Sequence, residues 1–138
     1  MLGRILLVDD NISGSTARKT VLEEFGHKIQ VASTGADALE QFSQHKYDLV
    51  VTDYKMPRMD GLELIVRLRK LQPEIRIVLV SGFVDTLGLN EANTGADAVI
   101  QKSANEVTHL VRAVNRLLRR KKPASAAAGR LKAKRQAG

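Results

Sequence analysis

The chain has 138 residues, room for one domain with a real core and a short appendage, and its 43% hydrophobic and 27% charged residues are a globular rather than a disordered composition. There is no cysteine, which excludes disulfides, thiolate catalysis and cysteine-bound zinc or iron–sulfur centres; with no bilayer-spanning apolar run and too short an apolar start for a signal peptide, a cytoplasmic protein without membrane insertion is expected. The formal charge of +7 is concentrated, because residues 119–138 hold eight of the 22 Lys and Arg and no acid, so the rest of the chain is close to neutral.

In chain order, residues 4–8 (RILLV) form the first strand candidate, rich in branched apolar residues and stopped by Asp9 and Asp10. Ala17, Val21, Leu22 and Phe25 then recur at helical spacing and predict a first helix with those residues on its apolar face. A second strand is expected at 28–32 (KIQVA), followed by a helix carrying Ala36, Leu39 and Phe42. Residues 48–52 (DLVVT) read as a buried strand that ends against Asp53. Pro57 stiffens the following turn, Gly61 relieves it, and Leu62, Ile65 and Leu68 mark a third helix. The fourth strand candidate is 75–80, ending at Ser81. The segment 84–94 (VDTLGLNEANT) is a poor helix former and reads as short and loosely held. Strand 97–101 delivers Lys102. The clearest helix, 104–120, shows Val107, Leu110, Val111, Val114, Leu117 and Leu118 on one face.

Five alternations of strand and helix predict a doubly wound α/β domain: a parallel sheet with helices on both faces, joined by right-handed crossovers. Ligands of such sheets bind at the carboxyl ends of the strands, near the switch in strand order. Those ends deliver Asp9, Asp10, Asp53, Ser81 and Lys102. Three neighbouring carboxylates repel one another unless a cation neutralises them. An all-oxygen donor set favours a hard ion such as Mg²⁺, which takes one or two carboxylates and fills its remaining positions from water and phosphate. An aspartate can itself accept a phosphoryl group, with Lys102 and Mg²⁺ supplying positive charge and Ser81 a hydroxyl donor.

Together LLVDD, DLVVTDYKMPRMDG, IVLVSGF and GADAVIQKS resemble the receiver domain of two-component response regulators, over essentially residues 1–120. The resemblance implies a flavodoxin-like sheet in the order 2-1-3-4-5. It further implies Asp53 as phosphoacceptor, Asp9 and Asp10 as the acidic pair at Mg²⁺, and the backbone carbonyl of Lys55 as a further metal ligand. Ser81 resembles the hydroxyl residue that shifts toward the phosphoryl group, and Lys102 the lysine that pairs with it. The donor would be a histidine kinase or phosphotransfer protein, and the output a phosphorylation-dependent surface, expected at 84–94 and the last helix, that binds a downstream protein. The chain would be a stand-alone signalling switch, with self-phosphorylation from small donors and self-dephosphorylation as its only chemistry. Lys55 and Phe83 resemble positions that tune phosphoryl lifetime. Two residues depart from the family pattern. Val99 stands where an aromatic switch residue is frequent, and Ser103 follows Lys102 where proline is usual, so a trans bond is expected there.

Two other readings compete. A phosphohydrolase resembling the haloacid dehalogenase family would need an acid two residues after its nucleophile, where this chain has Lys55. A phosphorylation-independent adaptor would work through the basic tail, 121–138, which is expected to be disordered and to make at most weak, nonspecific contact with nucleic acid or another anionic surface. That contact would weaken steeply with salt and vanish in a chain ending at Arg119. His27, His45 and His109 form no cluster and are expected at the surface. Met56 and Met59 are expected to pack.

Overall fold

The computed structural model describes residues 2–120; the expectations for the tail, 121–138, lie outside the described residues. Five strands, β1 Arg4–Val8, β2 Lys28–Ala32, β3 Leu49–Asp53, β4 Arg76–Ser81 and β5 Ala98–Gln101, form one parallel sheet in the order β2-β1-β3-β4-β5. Between and after them run α1 Ile12–Glu24, α2 Gly35–Gln44, α3 Gly61–Leu71, two one-turn helices α4 Val84–Leu87 and α5 Glu91–Thr94, and α6 Glu106–Arg119. This is the doubly wound flavodoxin-like arrangement expected from the sequence.

Every residue of β3 is buried, as a central strand covered on both faces requires. Alternate strand residues feed two cores. Leu6, Val8, Val50, Ile77 and Leu79 meet Ala38 and Phe42 of α2 and Leu64, Ile65 and Leu68 of α3. On the other face Ile5, Leu7, Val51, Val78, Val80 and Ile100 meet Leu22 of α1 and Leu110, Val114, Leu117 and Leu118 of α6. Met56 is buried and Met59 packs beside it, as expected.

The crossover between β4 and β5 holds little. No residue of α4 is buried and no side chain caps it, and left-handed glycines, Gly88 at φ 63° and Gly95 at φ 80°, end α4 and α5. Asn90 and Asn93 close α5 by exchanging side-chain bonds with each other's backbone N–H. The strength of this segment is therefore local hydrogen bonding rather than burial, which matches the short, loosely held reading.

Two expectations are corrected. The apolar face read into α1 is only partly the buried one: Leu22 is buried and Val21 half-buried, but Ala17 and Phe25, the latter 52% exposed, face out, and Ser15 and Arg18 are buried in their place. The helix has too few apolar residues for periodicity to orient it, and a charged contact described below does so instead. His27 is not at the surface either. It is 4% exposed, its Nδ1 accepts the Gly3 N–H at 3.1 Å, and its Nε2 lies 3.1 Å from Asn115 Oδ1. An Nδ1 that accepts requires the proton on Nε2, which then donates to Asn115. His45 and His109 are exposed, as expected. His27→Leu should leave the Gly3 N–H without its acceptor and cost roughly 1–3 kcal/mol, measured as a lower urea midpoint with unchanged slope.

Candidate functional site

The strand order reverses between β1 and β3, and the site lies at their carboxyl ends. Oxygens from Asp9, Asp10 and Asp53 all lie within 4.8 Å of one another. Asp9 is 2% and Asp53 3% exposed, while Asp10 is open to solvent. The chain leaves β1 through a tight turn: Asp9 Oδ1 accepts the Asn11 N–H at 2.9 Å, and the Asn11 side chain caps α1 by accepting the Gly14 N–H at 3.2 Å. Asn11, rather than either aspartate, is the cap of α1.

Lys102 comes from the end of β5. Its backbone N–H donates to Ser81 O at 2.9 Å, and its ammonium lies 2.8 Å from Asp53 Oδ1 and 2.9 Å from Oδ2. The Tyr54 N–H also donates to Asp53 Oδ1, at 3.2 Å. Burial pushes the Asp53 carboxyl above the usual aspartate range; the Lys102 hydrogen bond and charge oppose this, Asp9 adds to it, and Arg18 opposes it. Asp53 is thus a buried carboxylate only partly compensated by its surroundings.

Ser81 is 1% exposed, and its Oγ accepts the Phe83 N–H at 2.9 Å, which fixes the rotamer and leaves the hydroxyl proton to donate elsewhere. Among the described residues no hydrogen bond joins it to Asp53. The Lys55 side chain turns outward, with Nζ 5.2 Å from the centre of the Phe83 ring, and that ring meets Tyr54 edge-on at 6.3 Å. Tyr54, Lys55, Met56, Asp60, Phe83 and Leu87 line an open groove of about 410 Å³. Val99 is half-buried against the α2–α3 core. Ser103 is exposed, and no peptide bond among the described residues is cis, so the bond from Lys102 is trans as expected.

The sequence reading missed Arg18. Its guanidinium is buried, with Nη1 2.6 Å from Asp9 Oδ2 and Nε 3.0 Å from Glu106 Oε2 at the start of α6. Ser15, Arg18 and Leu22 recur at three and four, so the signal was a helical stripe, but a polar one, and such stripes ordinarily face water.

The donor set is oxygen throughout, with two buried carboxylates and one exposed, and it fits a hard divalent cation better than a thiophilic metal. The built-in cations Arg18 and Lys102 offset part of the negative charge before any metal enters.

Comparison with known proteins agrees with this geometry. Residues 5–115 match the family model described as the response regulator receiver domain. The chain is 28% identical over 115 residues to the response regulator receiver protein CpdR of Brucella abortus, covering 83% of this chain and 96% of that protein. It is 34% identical over 93 residues to the transcriptional regulatory protein ZraR of Escherichia coli K12, covering 67% of this chain but only 21% of ZraR, so it spans about a fifth of that longer relative. Among solved structures, the response regulator TrrA from Thermotoga maritima, in complex with Mg²⁺ and BeF, superimposes with a TM-score of 0.75 at 33% identity, over 83% of this chain and 97% of that one. The Francisella response regulator 1452 receiver domain gives 0.78 at 31% identity, over 87% of this chain and 99% of that one.

Proposed function

Because the chain belongs to the response regulator receiver domain family, a family of signalling phosphoacceptors rather than conventional enzymes, we propose that Asp53 takes a phosphoryl group from a histidine kinase or phosphotransfer protein. One observation carries this reading: a buried carboxylate at a strand end, gripped by Lys102 at 2.8 Å and within 4.8 Å of two more acids. An Asp53 oxygen attacks phosphorus, a new O–P bond forms, and the P–N bond to the donor imidazole breaks, the imidazole leaving with the electron pair. Burial keeps water from competing at the nucleophile. Lys102 follows the negative charge from the carboxylate to the phosphoryl oxygens, and the Ser81 hydroxyl donates a hydrogen bond to one of them. Asp9, Asp10, Asp53 and the Lys55 carbonyl would hold Mg²⁺, which would supply positive charge to the phosphoryl oxygens; the Mg²⁺ and BeF complex of TrrA supports a metal at a site of this kind.

The phosphorylated state is read by a downstream protein at a surface that includes α4, α5 and α6. The lack of buried side chains in α4 supports this placement, because a segment held by few contacts shifts for little free energy. The receiver unit spans 1–120, with the basic tail as a separate element able to touch nucleic acid weakly.

The test is intact mass after incubation with acetyl phosphate. We expect a Mg²⁺-dependent gain of a single phosphoryl group in the parent chain and none in Asp53→Asn. A folded chain that gains nothing from acetyl phosphate or from candidate kinases would overturn the reading in favour of a phosphorylation-independent adaptor. Amide-exchange changes on phosphorylation that spare 84–94 and α6 would overturn the placement of the output surface.

A further inference from the structure

Arg18 has no part in the chemistry above, yet it is among the most completely buried charges in the described residues, its side chain 5% exposed. Burying a guanidinium is costly unless it is well paired, and here the pairing is specific. Nη1 meets Asp9 Oδ2 at 2.6 Å and Nε meets Glu106 Oε2 at 3.0 Å, so one planar group joins the carboxylate cluster to the first turn of α6. The first turn of α1 is pared back beside it: a Cβ at Gly14 would lie 3.1 Å from Asp9 Oδ2 and 4.0 Å from Arg18 Nη1. With Oδ1 accepting the Asn11 N–H, both oxygens of Asp9 are engaged.

We propose that Arg18 is a tethered counter-cation that competes with Mg²⁺ for Asp9 and, through Glu106, couples metal occupancy to α6. The inference rests on the metal reading given above. A divalent ion drawing on Asp9 must either take Oδ2 from the guanidinium or sit beside a fixed positive charge, and both weaken its binding. As Asp9 is drawn to the ion, the guanidinium shifts its hydrogen bonding toward Glu106. That residue lies in the first turn of α6, where the helix dipole favours a carboxylate, and is the partner that does not bind the ion. Coupling of this kind is reciprocal: a change at Glu106 alters Mg²⁺ affinity from outside the site.

The two ends of the triad therefore predict opposite signs. Arg18→Met keeps the length of the side chain and removes the competitor, and should tighten Mg²⁺ roughly tenfold. Glu106→Gln leaves Arg18 with Asp9 alone and should weaken Mg²⁺ a few-fold. The measurement is titration of the full chain with Mg²⁺ alone, by calorimetry and by NMR of the Arg18 Nε–H and the amides at the start of α6. In the parent chain those signals should move with Mg²⁺ saturation; in Arg18→Met the α6 amides should stay still. If Arg18→Met fails to fold, the weaker binding of Glu106→Gln and the moving Nε–H signal in the parent still support the proposal. Parent chain that binds Mg²⁺ with an unmoved Nε–H signal, or with unchanged affinity in Glu106→Gln, overturns the coupling and leaves the metal site standing. Absence of any Mg²⁺ binding by the parent overturns both.

Discussion

In metal-free buffer at neutral pH, Asp53→Asn should melt at a higher temperature than the parent chain. The carboxyl of Asp53 is pushed up chiefly by burial, so the folded state holds its proton more tightly than the unfolded chain does. Stability is therefore undiminished below the ordinary aspartate range, about 4. It falls as pH rises from there through the raised folded value, and the full penalty is present above it. Asparagine removes the charge and keeps the shape. Lys102 loses its partner, but its side chain is 37% exposed and can be solvated. A gain on the order of 1 kcal/mol would raise Tm by roughly 3–5 °C for a domain of this size. The difference should vanish on acidification below about pH 4 and, on the metal reading proposed above, narrow when Mg²⁺ is added, since a bound ion would stabilise the parent by mass action. Calorimetric scans from pH 3 to 8 decide it. A variant less stable than the parent across that range would mean that the Lys102 pair outweighs desolvation.

The second large effect is expected at Gly61. An added Cβ would lie 2.3 Å from the carbonyl oxygen of Asp53 and 3.0 Å from Tyr54 Cα, and the Gly61 N–H already donates to Tyr54 O at 2.7 Å. The obstacle is backbone and cannot swing aside. Gly61→Ala must lift α3 off the end of β3, loosening Leu64, Ile65 and Leu68 in the core and displacing Asp53. Overpacking of this kind costs about 2–3 kcal/mol, against the better helix propensity of alanine, about 1 kcal/mol. The urea midpoint should fall, by roughly 1 M for slopes of 1–3 kcal/mol/M, and phosphorylation from acetyl phosphate should slow. Gly82→Ala is the control. A Cβ added there would meet nothing within 4 Å, so this variant should stay within about 0.5 kcal/mol of the parent. A Gly61 variant as stable as that control would show that α3 shifts freely.

Gly61 also illustrates how far the sequence could be read. Its presence near the helix start was legible as turn chemistry, but its reason is a close approach between two backbones. Arg58, at φ 69°, is a similar case: the turn was expected and its left-handed residue was not. Both are facts about where chain segments meet.

The five strands, the parallel sheet and the gathering of Asp9, Asp10, Asp53 and Lys102 were readable because each rests on local pattern. Short branched apolar runs make buried strands, alternation with helices forces parallel crossovers, and parallel strands deliver their terminal residues to one edge. The burial of Arg18 and His27 follows no local pattern. Glu106 is 88 residues from Arg18, and Asn115 is 88 residues from His27. A polar side chain is stable inside only when a partner waits there, and which partner waits is decided by how α6 lands beside α1 and the start of β1. The sequence by itself determined the scaffold and the acids at its edge, because periodicity and strand ends act locally. Only the tertiary structure decided that Arg18 also holds one of those acids, because ion pairing inside a protein depends on distances that no spacing along the chain records.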